Sequence, residues 1–318
     1  MKFEVSVIIP VFNTERYVEK AISSVLEQPE VVEVVIVNDG STDNSFQIIT
    51  KLQAKDSRIK VYHHPNNVNK GRSASRNLGI KKASSKYVAF LDSDDFYLKN
   101  RFENDKKVFS EDSSIDGVYN AIGAHFYRAS KEFERVALKL TTISEKLKPE
   151  ELFEELLYYK KGHFSIDGLT LKKSIFDKVE FFNETLLVDE DTHMFLKMAL
   201  KTKLIGGLLD KPVAMRGVHE ANVFNNANLY NKAKVYELLV FWSCKNNISL
   251  KRIDALLGKY WMFKLQEGKG VVKYFGCWFY IFFSNKKILF SSLSTKYFPM
   301  ILLSKRVFSF FYKKIKKN

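Results

Sequence analysis

The sequence predicts an α/β fold, a mostly parallel sheet flanked by helices, with a helical, aromatic and basic extension at its C-terminal end. Three observations predict it. Short apolar runs of strand length recur four times in the first hundred residues: Val5–Pro10, Val31–Val37, Ile59–His63 and Tyr87–Leu91. Segments with helical spacing separate them, and strands alternating with helices argue for right-handed parallel β-α-β units. Beyond residue 255 the composition changes to aromatic and basic.

The first run ends in Pro10, which cannot donate to a ladder. Asn13 or Thr14 is placed to cap a helix running to about Gln28, with Tyr17, Ala21, Ile22 and Val25 on one face. The second run ends in Asn38-Asp39-Gly-Ser-Thr-Asp43. There Gly40 allows a tight turn, and Ser41, Thr42 or Asp43 offers a cap for a helix over about 44–54. After the third run, a polar loop over 64–71 leads into a helix through about Ala83. The fourth run is continuously apolar, as in a strand covered on both faces, and stops in Asp92, Asp94 and Asp95. Like charges delivered together by a buried strand need neutralising, and a hard divalent cation such as Mg²⁺ or Mn²⁺ does this through carboxylate oxygens. In parallel sheets ligands sit beyond the carboxyl ends of the strands, where Pro10–Asn13, Asp39 and Asp92–Asp95 converge.

With 318 residues, 46% hydrophobic and 27% charged, the chain can bury a large core and is not of disordered composition. Cys244 and Cys277 form no zinc or disulfide framework, and Met1-Lys2-Phe3-Glu4 leads directly into a strand-like run without a signal-peptide pattern. Reduced thiols and a cytoplasmic setting are therefore expected. The net charge of +15 is uneven: residues 255–318 hold 13 Lys or Arg against one acid, +12, leaving +3 on residues 1–254.

Four pieces, Val7-Ile-Ile-Pro-Val-Phe-Asn13, Val37-Asn-Asp-Gly-Ser-Thr-Asp43, Gly71…Arg76-Asn77…Gly79 and Phe90-Leu-Asp-Ser-Asp-Asp95, stand in a shared order and spacing. In these the first hundred residues resemble the nucleotide-binding half of the family 2 inverting glycosyltransferases, which have the A-type glycosyltransferase fold. The resemblance implies a nucleotide-sugar site, with a uridine nucleotide as the donor class. Pro10 and Asp39 would hold the base, Asn67 and Arg76 would line the pocket, and Asp92 would touch the ribose. Val11, Asn13, Glu15, Gly71 and Asp95 would complete the site, and Asp94 would ligate Mn²⁺ or Mg²⁺ under the diphosphate. A Rossmann dehydrogenase competes poorly, because no glycine fingerprint follows the first strand. A nucleotidyltransferase would need an early basic glycine-rich loop that the chain lacks.

The middle of the chain carries fewer signals. Ile115–Tyr127 reads as strand, and Pro149 followed by acids opens a helix as the macrodipole favours. Leu187-Val-Asp-Glu-Asp-Thr-His-Met-Phe-Leu196 places three acids at the start of a helix whose Met194, Phe195, Met198 and Ala199 face inward. Acids at a helix amino end are often only a dipole match. The resemblance implies more: Asp191 as the catalytic base, Glu190 seating the acceptor. An inverting transfer needs such a base opposite the leaving group. Met215-Arg-Gly-Val-His219 implies, by the same likeness, His219 as a second metal ligand, although Asn222 stands where the family has serine. The Q-x-x-R-W signature of processive synthases is missing, which favours single-sugar transfer.

Residues 226–243 read as a helix with Tyr230, Ala233, Tyr236, Leu239 and Val240 on one face. Seventeen of residues 255–318 are Phe, Tyr or Trp, yet Val271–Phe283 is apolar for only 13 positions and Tyr297–Phe311 is broken by Lys305-Arg306. Both are short of the roughly 20 residues that span a bilayer. An interfacial contact with anionic lipid fits this mixture, a packed helical subdomain competes, and nucleic acid is disfavoured because Trp278–Phe283 is too apolar for a solvated groove. The expected organisation is 1–225 as the catalytic domain, split into a nucleotide-sugar half (1–98) and an acceptor half (99–225), with 226–318 as a membrane-surface extension. The expected reaction moves one sugar to a glycan or lipid-linked glycan hydroxyl on the inner face of the cell membrane. The alternative is a catalytically silent nucleotide- or glycan-binding module of the same fold.

Overall fold

The computed structural model describes residues 2–220, 222, 229–268 and 270–304. Chain contacts divide it into two units, 1–224 and 225–318.

In the first unit the expected alternation is present. β1 (Val5–Val11), α1 (Val18–Leu26), β2 (Val31–Asn38), α2 (Ser45–Gln53), β3 (Ile59–His63), α3 (Gly71–Lys82) and β4 (Tyr87–Phe90) follow one another. β1 pairs in parallel with both β2 and β4, and β2 with β3. Every residue of β4 is buried, as are all of β1 except Pro10. Val18, Ala21, Ile22 and Val25 of α1 close over one face of this sheet.

Pro10 lies inside β1 rather than ending it, paired in register with Val37. The reason lies in the pairing pattern. The Ile8 carbonyl accepts from Leu91 N–H on the β4 side, so the Pro10 nitrogen, two residues on, faces the same side. Pairing with β4 has already stopped at Ile8–Phe90, so the missing N–H interrupts no paired residue of that ladder.

Neither Asn13 nor Thr14 caps α1 with its side chain. The Thr14 carbonyl accepts from Tyr17 and Val18 N–H, while Asn13 takes a left-handed φ of 52° and turns its Oδ1 to Thr42 N–H at 2.7 Å. The neighbouring loop takes that oxygen instead, with Thr42 and Asp43 both donating to it. The N-cap of α2 is Asn44 rather than Ser41, Thr42 or Asp43 and gives no side-chain cap, while Asp43, one residue earlier, accepts from Ser45 N–H at 2.9 Å. Gly40 has φ +74°, and a Cβ there would stand 2.6 Å from the Asn67 carbonyl oxygen.

Past β4 the sheet continues irregularly. β5 (Phe96–Tyr97), α4 (Glu103–Glu111), β6 (Gly117–Tyr119), β7 (Gly123–Phe126), α5 (Glu132–Ala137), α6 (Pro149–Tyr158), β8 (Leu169–Lys172), α7 (Phe176–Val179), α8 (Glu190–Lys201), β9 (Leu204–Gly206) and β10 (Ala214–Val218) complete the unit. The main sheet has the order β3-β2-β1-β4-β8-β6-β9, in which β8 runs antiparallel to both β4 and β6. A small sheet, β5-β10-β7, joins it at the site. The expected single strand over 115–127 is two strands in two sheets. The break is at Asn120, whose buried amide donates to Asp105 and to the Gly168 carbonyl and whose Oδ1 accepts from Leu208 N–H.

The second unit is helical: α9 (Leu229–Lys245), α10 (Leu250–Gln266), α11 (Val271–Phe283), α12 (Lys286–Leu289) and α13 (Ser292–Lys296). Ala233, Tyr236, Leu239 and Val240 of α9 are buried as expected, but Tyr230 is exposed. The expected start of that helix over 226–228, the 225/226 boundary and the segment 305–311 lie outside the described residues.

Candidate active site

The strand tips predicted to converge do so in the first unit. At the end of β1, Pro10 is half-buried and Val11 buried; the Val11 carbonyl accepts from Asp39 N–H at 2.8 Å. Thr14 Oγ donates to Ser93 Oγ at 3.0 Å, which ties the β1 loop to the carboxylate turn after β4. The Asp39 carboxylate is buried and braces the loop before α3, accepting from Lys70 N–H at 2.7 Å and Gly71 N–H at 2.9 Å. Asn67, exposed, and Gly71, at φ +84°, belong to that loop. Glu15 turns to the neighbouring loop, its Oε2 accepting from both nitrogens of Asn44 at 2.8 Å.

The turn Asp92–Asp95 is held from two directions. Gly217 of β10 donates its N–H to Asp95 Oδ1 at 2.7 Å, and a Cβ on Gly217 would stand 2.1 Å from the Asp94 carbonyl oxygen, so only glycine fits. From the other side Asp167 accepts the Asp92 N–H at 3.0 Å and the Ser165 hydroxyl at 2.9 Å. Burial and then the neighbouring acids Asp167, Asp94 and Asp92 raise the Asp95 carboxyl well above the usual carboxylate range. Nothing in the Ser-Ile-Asp-Gly stretch around Asp167 marks it in the sequence.

Asp94 and His219 meet at this turn. His219 Nε2 lies 2.9 Å from Asp94 Oδ2, and Asn222 Nδ2 lies 3.3 Å from the same oxygen. The Asn222 Oδ1 accepts from His219 N–H at 2.6 Å, and the Tyr17 ring stacks on the imidazole at 4.7 Å. Asn222 thus fixes the histidine in the place where the family has serine. Burial and the adjacent Asp92 raise the Asp94 carboxyl, against a smaller opposing effect of His219. A pair of neighbouring ligands on one octahedral cation with bonds near 2.1 Å stands about 3 Å apart, so the donor set and spacing of Asp94 and His219 fit Mn²⁺ or Mg²⁺. Asp92, Asp95 and Asp167 also have oxygens within 4.8 Å of one another. Within this trio Asp92 accepts from Arg76, Asp95 from Gly217 N–H, and Asp167 from Asp92 N–H and the Ser165 hydroxyl, bonds that hold the turn in place.

The second acidic motif reaches the same place. Arg76, only 1% exposed, donates from one terminal nitrogen to Asp92 at 2.7 Å and from the other to Glu190 at 2.8 Å. Burial alone would weaken this guanidinium as a base; Asp92 and Glu190 reverse that and raise it. Burial pushes the Asp92 carboxyl up, but Arg76, Arg72 and Arg216 outweigh it and hold the group below its ordinary value. Asp191 follows Glu190 directly, half-buried at the start of α8, its Oδ1 accepting from Thr192 N–H at 2.7 Å. Asn77, beside Arg76, anchors the approach to α8 by donating to the Phe182 carbonyl and accepting its N–H, both at 2.9 Å.

Arg76 is thus a buried guanidinium that bridges the two acidic motifs. Removing one member of a buried charge cluster strands the others. Arg76→Met is accordingly expected to cost about 3–5 kcal/mol of unfolding free energy by chemical denaturation, and a loss below about 1 kcal/mol would show the bridge to be incidental.

An α/β domain that gathers carboxylates at its parallel strand tips, faces them with an acidic helix start and closes the turn with a histidine strand is an A-type glycosyltransferase domain. Residues 6–179 match the model of glycosyl transferase family 2, and the chain belongs to that family. Among curated relatives, the minor teichoic acid biosynthesis protein GgaA of Bacillus subtilis is 30% identical over 246 residues, 74% of this chain and 52% of that protein. The chain thus spans about half the length of this relative. Among solved structures, Staphylococcus aureus TarS 1-349 in complex with UDP-GlcNAc superposes with a TM-score of 0.63 at 22% identity, covering 83% of this chain and 73% of that one. The mannosyltransferase PcManGT of Pyrobaculum calidifontis, in complex with GDP-Man and Mn²⁺, gives 0.52 at 15% identity, covering 81% and 69%.

Proposed function

We propose that the chain transfers a single hexosyl or N-acetylhexosaminyl residue, with inversion, from a nucleotide sugar to a hydroxyl of a glycan or lipid-linked glycan in cell-surface polysaccharide synthesis. A UDP-sugar is the proposed donor; the TarS complex with UDP-GlcNAc and the teichoic acid context of GgaA support that reading. One observation carries the enzymatic part. Arg76 ties Asp92, at the donor strand tip, to Glu190, the residue before Asp191. Two acidic motifs 98 positions apart in the sequence thereby face one cleft.

In that cleft the loops after β1, β2 and β4 receive the nucleotide. Asp94 and His219 would hold Mn²⁺ or Mg²⁺, which when bound neutralises the diphosphate of the departing nucleotide. Asp191 accepts the proton of the acceptor hydroxyl as its oxygen attacks the anomeric carbon from the opposite face. Glu190, fixed by Arg76, sets the orientation of the helix start that carries Asp191. A silent binding module would have no need of two intact acidic motifs braced against each other.

The proposed place of work is the cytoplasmic face of an anionic membrane. The concentration of basic charge after residue 255 supports this, and no helix among the described residues is long and apolar enough to cross a membrane. Thermal unfolding with a panel of nucleotide sugars, each with and without Mn²⁺, tests the donor class. A UDP-sugar is expected to raise the midpoint by several degrees only with metal present. Stabilisation by a guanosine or thymidine sugar alone would overturn the uridine assignment.

A further inference from the structure

The second unit divides its aromatic residues in a way that the composition does not reveal. On α11, Tyr274, Trp278, Ile281 and Phe282 recur at helical spacing and are buried. The Trp278 indole donates to the Ser294 carbonyl at 3.0 Å and packs against Phe282 and Phe298. This face is the core of a packed helical subdomain, so that expectation holds for half of the run.

The other face breaks the amphipathic rule. Val272 is 84% exposed, Phe279 49% and Phe283 61%, and their spacing of seven and four residues puts them on one stripe. Gly276 lies within the stripe, with no atom within 4 Å of where a Cβ would be. Tyr280 stands beside it, also exposed, and Phe290 of the following turn is exposed too. Lys273 and Lys286, both exposed, flank the stripe. An outward row of large apolar groups on a folded helix is what a partner surface covers.

We infer that this stripe, Val272, Phe279 and Phe283 with Tyr280, rests at the boundary of head groups and acyl chains of an anionic bilayer, with Lys273 and Lys286 at the lipid phosphates. Charge complementarity selects this occupant. With 13 basic residues against one acid over 255–318, a second copy would bring like charge to like charge, whereas anionic lipid supplies the missing sign. Thirteen residues make a helix of about 20 Å, too short for the hydrocarbon core of about 30 Å. The inward face is already taken by protein. The helix therefore lies in the membrane plane with one side wetted by lipid. The inference refines the proposed membrane location and is independent of the chemistry assigned to the cleft.

The test uses the full chain and vesicles of phosphatidylglycerol with phosphatidylcholine, compared with phosphatidylcholine alone, read by co-sedimentation. The wild type is expected on anionic vesicles only. The triple variant Val272→Ser, Phe279→Ser, Phe283→Ser should lose about tenfold or more of that binding, while its unfolding midpoint and its metal-dependent donor binding stay unchanged. Lys273→Gln with Lys286→Gln should bind less and become less sensitive to salt. Wild-type failure to bind anionic vesicles, or triple-variant binding equal to wild type, would overturn the inference. So would a wild-type dimer in solution that the triple variant converts to monomer, since the stripe would then cover itself. Unchanged donor binding in the variant separates any of these failures from a failure of the catalytic reading.

Discussion

Asp191→Asn is expected to lower kcat by about a thousandfold or more while donor affinity stays within about twofold of wild type. The substitution keeps shape and the acceptor for Thr192 N–H but removes the basic oxygen. Because Asp191 is half-buried and outside the Arg76 bridge, its loss leaves the bridge and the helix start intact. Steady-state rates combined with isothermal titration of the donor check this. An equal loss of donor affinity would place Asp191 among the donor contacts and deny it the role of base. Glu190→Gln should behave differently, because Glu190 is buried against Arg76, and its neutralisation leaves that buried cation with Asp92 alone of its two bridging carboxylates. Reduced stability should accompany whatever activity it loses.

The second large effect is expected from Asp94→Ala. Asp94 provides the oxygen toward which His219 and Asn222 both point. Without it the proposed cation loses its anionic ligand, and donor affinity should fall by about tenfold or more and cease to respond to added Mn²⁺. His219→Ala should give a milder version, since a carboxylate remains. Titration of the donor against both variants, with and without Mn²⁺, measures the difference. If Asp94→Ala still binds the donor more tightly when Mn²⁺ is added, the cation sits elsewhere.

What could be read from the sequence was whatever depends on neighbours in the chain. Val5–Val11, Val31–Asn38 and Tyr87–Phe90 are strands because their apolar runs must be covered on both sides, and the carboxylates after the second and third follow directly from where those runs stop. The acids before Met194 likewise sit where a helix begins. Features set by distant partners were not legible. Arg76 reads as a pocket residue in its motif, yet its two partners lie 16 and 114 positions away. Asp167 supports the turn after β4 from 75 positions along the chain, through a backbone N–H that no side-chain pattern announces. The strand expected across 115–127 failed for a similar reason. Asn120 is satisfied only by groups on three separate segments, and that requirement turns the chain from one sheet into the other. On α11, composition could show that the helix is aromatic but not which rings the subdomain buries.

The anomeric configuration of the product is the most searching observation for the cleft as a whole. Proton NMR of the glycoside formed by wild-type transfer, begun with a donor of known anomer, reads it directly, because the new linkage does not mutarotate. Attack by a hydroxyl activated at Asp191, opposite a nucleotide leaving from Asp94 and His219, gives the inverted anomer as the first product. Retention at that carbon would mean that the two acidic motifs do not act on opposite faces of one sugar.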